Sequence, residues 1–383
     1  MARALYIHWP FCLKKCPYCD FNSHVRAEVD HALWERAMLA DMRHEHVVSD
    51  SGPLTSIFFG GGTPSLMPPG LVARLLVEAE QLWGFDPGIE ITLEANPSSV
   101  EAGKFADLNA AGVNRVSLGL QSLDDRTLGF LGRLHSVEES LEALGIAQRV
   151  FERVSFDLIY ARPKQSEAQW RAELARALSF GTQHLSLYQL TIEPGTRFAT
   201  DVRRGVFSPL EDDPAADLFA VTQEMTSAAG LPAYEISNHA AAGQESRHNL
   251  TYWRYQDYAG IGPGAHGRRA GCATQRHKKP ENWLSAIEQH RCGLSEERPL
   301  VPAEAATEAL LMGLRLREGI DLTALGQRFD LRRDALVDQE RLDFYRNLGF
   351  VWERGGRIGA TQAGMGVLDA LLGELVASDL VAS

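Results

Sequence analysis

The sequence predicts an α/β protein: a partial TIM-type (β/α)6 barrel followed by a smaller C-terminal helical domain of winged-helix-like layout. Three observations carry that prediction. Short β-rich runs alternate with longer amphipathic runs through the first half of the chain, the pattern of repeated βα units. Polar groups that a buried sheet does not need follow the strands, and in a βα barrel the C-terminal strand ends face one shared mouth. After about residue 300 the pattern shifts to short helices around a hairpin-like G-F-V-W-E-R-G-G-R-I-G-A run.

Taken in order, the expected strands are A-L-Y-I-H-W from Ala4, S-I-F-F-G from Ser56, I-E-I-T-L-E from Ile89, R-V-S-L-G-L from Arg115, V-S-F-D-L-I-Y from Val154 and L-S-L-Y-Q-L from Leu185. Helix-like runs over 33–47, 71–83, 100–111, 137–149 and 167–179 separate them, with apolar residues at three-to-four spacing. The groups at the strand ends are the Cys12 loop, the G-G-G-T-P-S run from Gly60, Glu94, Gln121, and Gln189 with Thr191, while Asp157 sits mid-strand. All are expected to converge at one mouth. Past residue 200 come a Pro- and Gly-punctuated stretch, an aromatic cluster and a Gly-rich run from Gly260 to Gly271. The last part predicts a helix over 336–348, the hairpin and a closing helix. This divides the chain into a barrel over 1–235, a connecting segment over 236–300 and a C-terminal domain over 301–383.

Composition excludes several function classes. The 383 residues hold 38 Lys plus Arg against 50 Asp plus Glu, a formal charge of −12, the wrong balance for a chain that coats nucleic acid or an anionic membrane. Residues 301–383 carry 9 Arg, no Lys and 13 acidic residues, so the winged-helix-like domain reads as a packing or docking unit rather than a DNA reader. The first apolar run, over 5–11, is short and contains His8 and Pro10, unlike a signal peptide or a membrane span. Five cysteines, an odd number, do not make a disulfide framework. A soluble protein of a reducing cytoplasm is expected, with no nucleic-acid partner and no integral membrane segment.

Three of the five cysteines lie within eight residues, in C-L-K-K-C-P-Y-C: Cys12, Cys16 and Cys19. A zinc knuckle would need a fourth ligand, which His8, Asp20 or His24 could supply. A C-x-x-C redox pair would use Cys16 and Cys19 and leave Cys12 idle. An iron-sulfur cluster would use all three thiolates and leave one iron open. Cys272 and Cys292 have no partner spacing and read as spare thiols.

The C-x3-C-x2-C spacing resembles that of the radical S-adenosylmethionine (SAM) superfamily. The resemblance implies a 4Fe-4S cluster on Cys12, Cys16 and Cys19, with SAM chelated to the open iron and cleaved by one electron to methionine and a 5'-deoxyadenosyl radical. It also implies SAM contacts at Tyr6, Tyr18, Gly61, Gly62, Thr63, Glu94, Gln121, Arg133, Asp157 and Thr191. The runs Y-I-H-W-P-F-C, F-F-G-G-G-T-P-S, L-G-L-Q-S, L-G-R-L-H-S, F-D-L-I-Y and Y-Q-L-T-I-E-P-G-T narrow the resemblance to the oxygen-independent coproporphyrinogen III oxidases and their relatives. Those oxidases carry a fourth cysteine two residues after the third, where this chain has Phe21. They also carry an N-terminal extension, whereas here 11 residues precede Cys12.

Both departures resemble HemW-type haem chaperones. That resemblance implies haem contacts at His248, Asn249, Tyr252 and Trp253, in H-N-L-T-Y-W, with His266 a weaker ligand candidate. It further implies haem-receiving apoproteins as partners, a homodimer, and an electron donor that the sequence does not identify. The rival expectations are the oxidative decarboxylation of coproporphyrinogen III, a radical SAM enzyme acting on haem, and a zinc-stabilised barrel.

Overall fold

The computed structural model describes residues 2–49 and 51–376. Its centre is a sheet whose six expected strands run in parallel and in sequence order: β1 (Ala2–Trp9), β2 (Ser51–Gly61), β3 (Phe85–Ala95), β4 (Arg115–Gln121), β5 (Arg153–Tyr160) and β6 (His184–Gln189). In register, Ile7 lies beside Phe59, Ile57 beside Ile91, Leu93 beside Val116, Val116 beside Val154, and Asp157 beside Ser186. Two short strands extend the edges. β7 (Asn238–Ala240) runs antiparallel to β6, and β8 (Ala259–Ile261) runs parallel to β1, so the order is β8-β1-β2-β3-β4-β5-β6-β7.

Alternation along the strands explains the layers. Leu5, Ile7, Ile57, Phe59, Ile91, Leu93, Val116, Leu118, Phe156, Leu158, Leu185 and Leu187 join the main hydrophobic core with residues of the flanking helices, among them Met38, Leu75, Leu144 and Trp170. Side chains at neighbouring positions point to the other face. There the sheet carries Tyr6, His8, Ser56, Thr92, Glu94, Ser117, Gln121, Asp157 and Ser186. One face buries apolar area at roughly 25 cal/mol per Å². The other is free to be polar.

The helices His31–Val48, Pro69–Trp83, Val137–Val150 and Glu167–Leu178 fill the expected connections. Ser136 with Glu139 and Ser166 with Gln169 form capping boxes, which satisfy the first free amides of two of them. The run expected over 100–111 instead breaks into Ser99–Ala102 and Phe105–Ala110, with Gly103 capping the first piece.

The segment after the barrel is tied down by buried charge. Asp41 and Glu45, on the first helix, are fully buried and receive the guanidinium of Arg276, which is equally buried. Asp41 also accepts from the amides of Gly262 and Gly293 and the indole of Trp283, and Glu45 accepts from Arg269. Removing one partner of such a set costs about 3–5 kcal/mol. Anchored this way is a three-stranded antiparallel sheet of β9 (His266–Arg269), β10 (Cys272–Arg276) and β11 (Leu294–Pro299).

The C-terminal region has its own core, including Leu310, Leu322, Leu336, Leu342, Ile358 and Leu371. Its sheet has the order β12 (Ile320–Asp321), β14 (Arg357–Ala360), β13 (Val351–Arg354), and the expected hairpin joins β13 to β14 through Gly355 and Gly356, both at positive φ. The helix expected over 336–348 spans Gln339–Asn347, because Asp338 caps it and Val337 is bridged to Val376. The closing helix is Leu368–Leu375; the part of the C-terminal expectation over 377–383 lies outside the described residues. Among the described residues, no helix is long and apolar enough to cross a membrane.

Candidate functional site

A cleft of about 230 Å³ opens at the C-terminal ends of the parallel strands. Cys12, Cys16 and Cys19 line it, all three half-buried and free of disulfides. Their loop leaves β1 and is pinned back onto the sheet. The His8 ring sits between the Tyr6 hydroxyl at 3.0 Å and the Asn22 carbonyl at 2.9 Å, and His24 donates its amide to the Pro10 carbonyl at 2.7 Å. The Asn22 side chain donates to the carbonyls of Pro263 and Lys278, both at 2.9 Å, so the charge-anchored segment holds the far side of the loop.

Glycines allow that approach. A Cβ on Gly62 would stand 2.7 Å from the Phe11 carbonyl oxygen, and one on Gly132, at φ +71°, would stand 2.6 Å from the Pro17 ring. With no side chain there, the Gly62 amide donates to Trp9 at 2.7 Å and the Thr63 amide to Phe11 at 2.9 Å.

Around the thiols the wall is polar and convergent. Thr63 Oγ1 donates to Cys12 Sγ at 3.4 Å, and Arg133 Nη1 donates to Cys16 Sγ at 3.4 Å. Arg133 Nη2 bonds Asn96 Oδ1 at 2.5 Å and the Gly119 carbonyl at 3.1 Å, while its Nε is buried with no hydrogen-bond partner. Burial pushes the Cys12 and Cys19 thiols up from their ordinary values. Deeper in the cleft Glu94 and Asp157 face one another across the sheet. Burial, then the Asp157 charge, pushes Glu94 up to about 8 against the Gly61 amide, and burial raises Asp157 to about 6 against hydrogen bonds from Ser186 and Ser117. Gln121 enters the cleft from a bulge at the end of β4, with φ 68°, a backbone region that costs a non-glycine residue energy.

Of the expected SAM contacts, Tyr18, Gly61, Gly62, Thr63, Glu94, Gln121, Arg133 and Asp157 share this cleft. Tyr6 lines a second cleft next to it. Thr191 does not join them: it is exposed past the end of β6 and lines another cleft with Gln189 and Tyr160, because the chain after β6 turns outward. The four residues expected at haem are also spread. His248 is 1 % exposed, with Nδ1 at 3.1 Å from Ser56 Oγ and Nε2 at 2.6 Å from the Tyr252 hydroxyl, so as placed neither nitrogen is open to a ligand. Burial lowers its pKa to about 3. Asn249 bonds the Tyr234 hydroxyl at 3.3 Å, Trp253 faces the C-terminal region beside Arg315, and Tyr252 alone reaches the second cleft.

Several site residues escape sequence reasoning. Asn96 bridges Arg133 and Thr63, and Glu101 holds the Asn96 amide at 2.9 Å and receives Ser65. Ser117 donates to Asp157 at 3.3 Å. The S-S-V-E run, with Ser98 as N-cap three residues before Glu101, is the signal that could have placed Glu101 at the cleft rim.

The donor set fits the groups implied by the sequence. Three reduced thiols ring a cleft that also contains an unpartnered guanidinium N–H, and two carboxyls stand behind them at the strand ends. Such thiols are the usual holders of an iron-sulfur cluster, with one iron left for another ligand. A carboxyl such as Glu94 would accept two hydrogen bonds from a ribose diol.

Comparison with known proteins agrees. The Radical SAM superfamily model matches residues 6–177, and the HemN C-terminal domain model matches residues 300–367. The chain is 40% identical over 326 residues to the mitochondrial radical S-adenosyl methionine domain-containing protein 1 of Bos taurus, covering 83% of this chain and 74% of that one. It is 35% identical over 382 residues to the heme chaperone HemW of Haemophilus influenzae, covering 96% of each, and 41% identical over 267 residues to that of Escherichia coli, covering 69% and 70%. Among solved structures, coproporphyrinogen III oxidase (HemN) from Escherichia coli superposes with a TM-score of 0.81 at 20% identity, over 96% of this chain and 88% of that one. The cysteine cleft, the parallel sheet beneath it and this near full-length identity together mean that the chain belongs to the radical SAM superfamily, in its HemN/HemW-like branch.

Proposed function

We propose that this protein is a haem chaperone of the radical SAM fold, which holds a 4Fe-4S cluster on Cys12, Cys16 and Cys19, binds SAM beside it, and delivers haem to recipient apoproteins in the cytoplasm. The observation that carries the reading is the cysteine loop. It presents three free thiols to one cleft and places Phe21, 60% exposed, where the oxidases have a fourth cysteine. The heme chaperone relatives, at 35% identity over 96% of both chains, support the same choice.

In this reading Gly61, Gly62 and Thr63 line the methionine end of SAM, and Glu94 takes its ribose. Gln121, Arg133 and Asp157 close the polar wall. When bound, the cluster and SAM would supply one-electron chemistry; the chain's own part is to orient them and to limit water at the thiols. Residues 301–383 act as a docking domain, in keeping with their net negative charge. The second reading, coproporphyrinogen III oxidation, is favoured by the likeness to HemN, which at 20% identity is one of fold.

Anaerobic reconstitution with iron and sulfide should give a brown protein, and ferric haem added to it should bind saturably. Decarboxylated product from coproporphyrinogen III under reducing conditions with SAM would overturn the chaperone reading. A colourless, zinc-loaded protein would overturn the cluster assignment.

A further inference from the structure

The second cleft, of about 580 Å³, adjoins the cysteine cleft and shares Lys15, Phe21, Ser23, Gly61 and Glu94 with it. That volume lies within the roughly 300–1,000 Å³ of sites that hold cofactor-sized ligands. Its wall has three properties in one place. Phe21 and the rings of Tyr252 and Tyr258, whose centroids are 4.4 Å apart, offer apolar and aromatic surface. Lys15 and Lys278 line it in a chain of net charge −12, together with the acidic residues Asp20 and Glu94. Three histidines, His8, His24 and His266, line it.

The three imidazoles are not equivalent. His8 is 5% exposed with both nitrogens engaged, by Tyr6 and Asn22. His24 directs Nε2 to Asn22 Oδ1 at 3.3 Å. Because the Asn22 amide nitrogen is already donating to two carbonyls, Oδ1 accepts, and His24 keeps only Nδ1, the nitrogen crowded by its own Cβ. His266 is exposed, and its Nε2 faces the side-chain amide of Gln275 at 3.3 Å. An amide nitrogen only donates, so the His266 lone pair is on Nε2 and its proton on Nδ1. That tautomer presents the less crowded nitrogen, held by one long bond to an exposed side chain that a metal ligand displaces easily.

An aromatic wall, with the Tyr252 and Tyr258 rings edge to face at 81°, two cations and an exposed imidazole suit an iron porphyrin with two propionates. We propose that haem docks in this second cleft with His266 on its iron and Lys15 and Lys278 on its propionates, while His248 is a buried support for the Tyr252 wall. The proposal rests on the haem-chaperone reading. It places the cargo against the same loop that holds the cysteines, so occupancy of one cleft bears on the other through Phe21 and Lys15.

The test is a titration of the full reconstituted chain with ferric haem, followed by visible absorbance and electron paramagnetic resonance. His266→Ala should weaken binding by about tenfold or more and remove the imidazole-ligated signature. Added free imidazole should restore that signature. Lys278→Glu should weaken binding of haem but not of haem dimethyl ester, which lacks the propionate charges. A wild-type spectrum and affinity in His266→Ala overturns the site, as does loss of the signature in His24→Ala or His248→Gln with His266→Ala unaffected; in both cases saturable binding by wild type leaves the chaperone reading standing. Absence of saturable binding by the wild type overturns the reading and the site together.

Discussion

The cysteine cleft and the H-N-L-T-Y-W helix are both motif-bearing, aromatic and polar, and they differ in what their polar atoms are free to do. In the cleft the thiols are half-buried and unpaired, Arg133 has an N–H without a partner, and Glu94 is held up at about 8 by its surroundings. On the helix Arg247–Trp253, His248 is sealed and both its nitrogens are bonded. Groups that fold into satisfied bonds stabilise; groups left under tension or unpaired at an opening are available for chemistry. The difference teaches that a motif locates candidates, while accessibility and free lone pairs separate ligands from supports.

Experiments that would break this contrast can be ordered by size. Cys16→Ala should abolish cluster absorbance outright after anaerobic reconstitution; retention of the iron and sulfide content of wild type would remove the cleft's claim to be special. His248→Ala should cost about 2–4 kcal/mol in urea unfolding, through a cavity and two stranded hydroxyls. A loss below about 0.5 kcal/mol would show that the helix is not the structural region. Gly132→Ala should cost about 1–3 kcal/mol and lower cluster yield, because its Cβ meets Pro17 and its φ is positive.

A separate effect is expected from pH. Glu94 has a folded pKa of about 8, above its unfolded value near 4.5, so the folded state binds the proton more tightly. Its contribution to stability is therefore full below about 4.5, and declines as pH rises to about 8. Apoprotein stability should fall across that window, and Glu94→Gln should flatten the decline. An unchanged slope in the variant would assign the effect elsewhere. The smallest effect belongs to Cys272 and Cys292: replacing both with Ser should leave cluster content unchanged and stability within about 0.5 kcal/mol.

Much of this was legible in the chain. The six strands stand where alternation of β-rich and amphipathic runs places them, and Glu94, Gln121 and Asp157 reach one cleft because they share the sheet face opposite the apolar core. Thr191 lies apart from them: β6 ends at Gln189, and both residues line another cleft. The edge strands Asn238–Ala240 and Ala259–Ile261 were not legible, since three residues are too few to show a period and both exist by pairing with strands far away in sequence.

By itself, then, the sequence determined the parallel α/β framework, the trio of cysteines and the family branch, because periodicity and close spacing are local properties that survive reading in one dimension. Only the tertiary structure decided which histidine is open. His8, His24, His248 and His266 look alike in the sequence, and their roles are set by partners up to 192 positions away, as between Ser56 and His248, whose contact exists only after the sheet has closed over it.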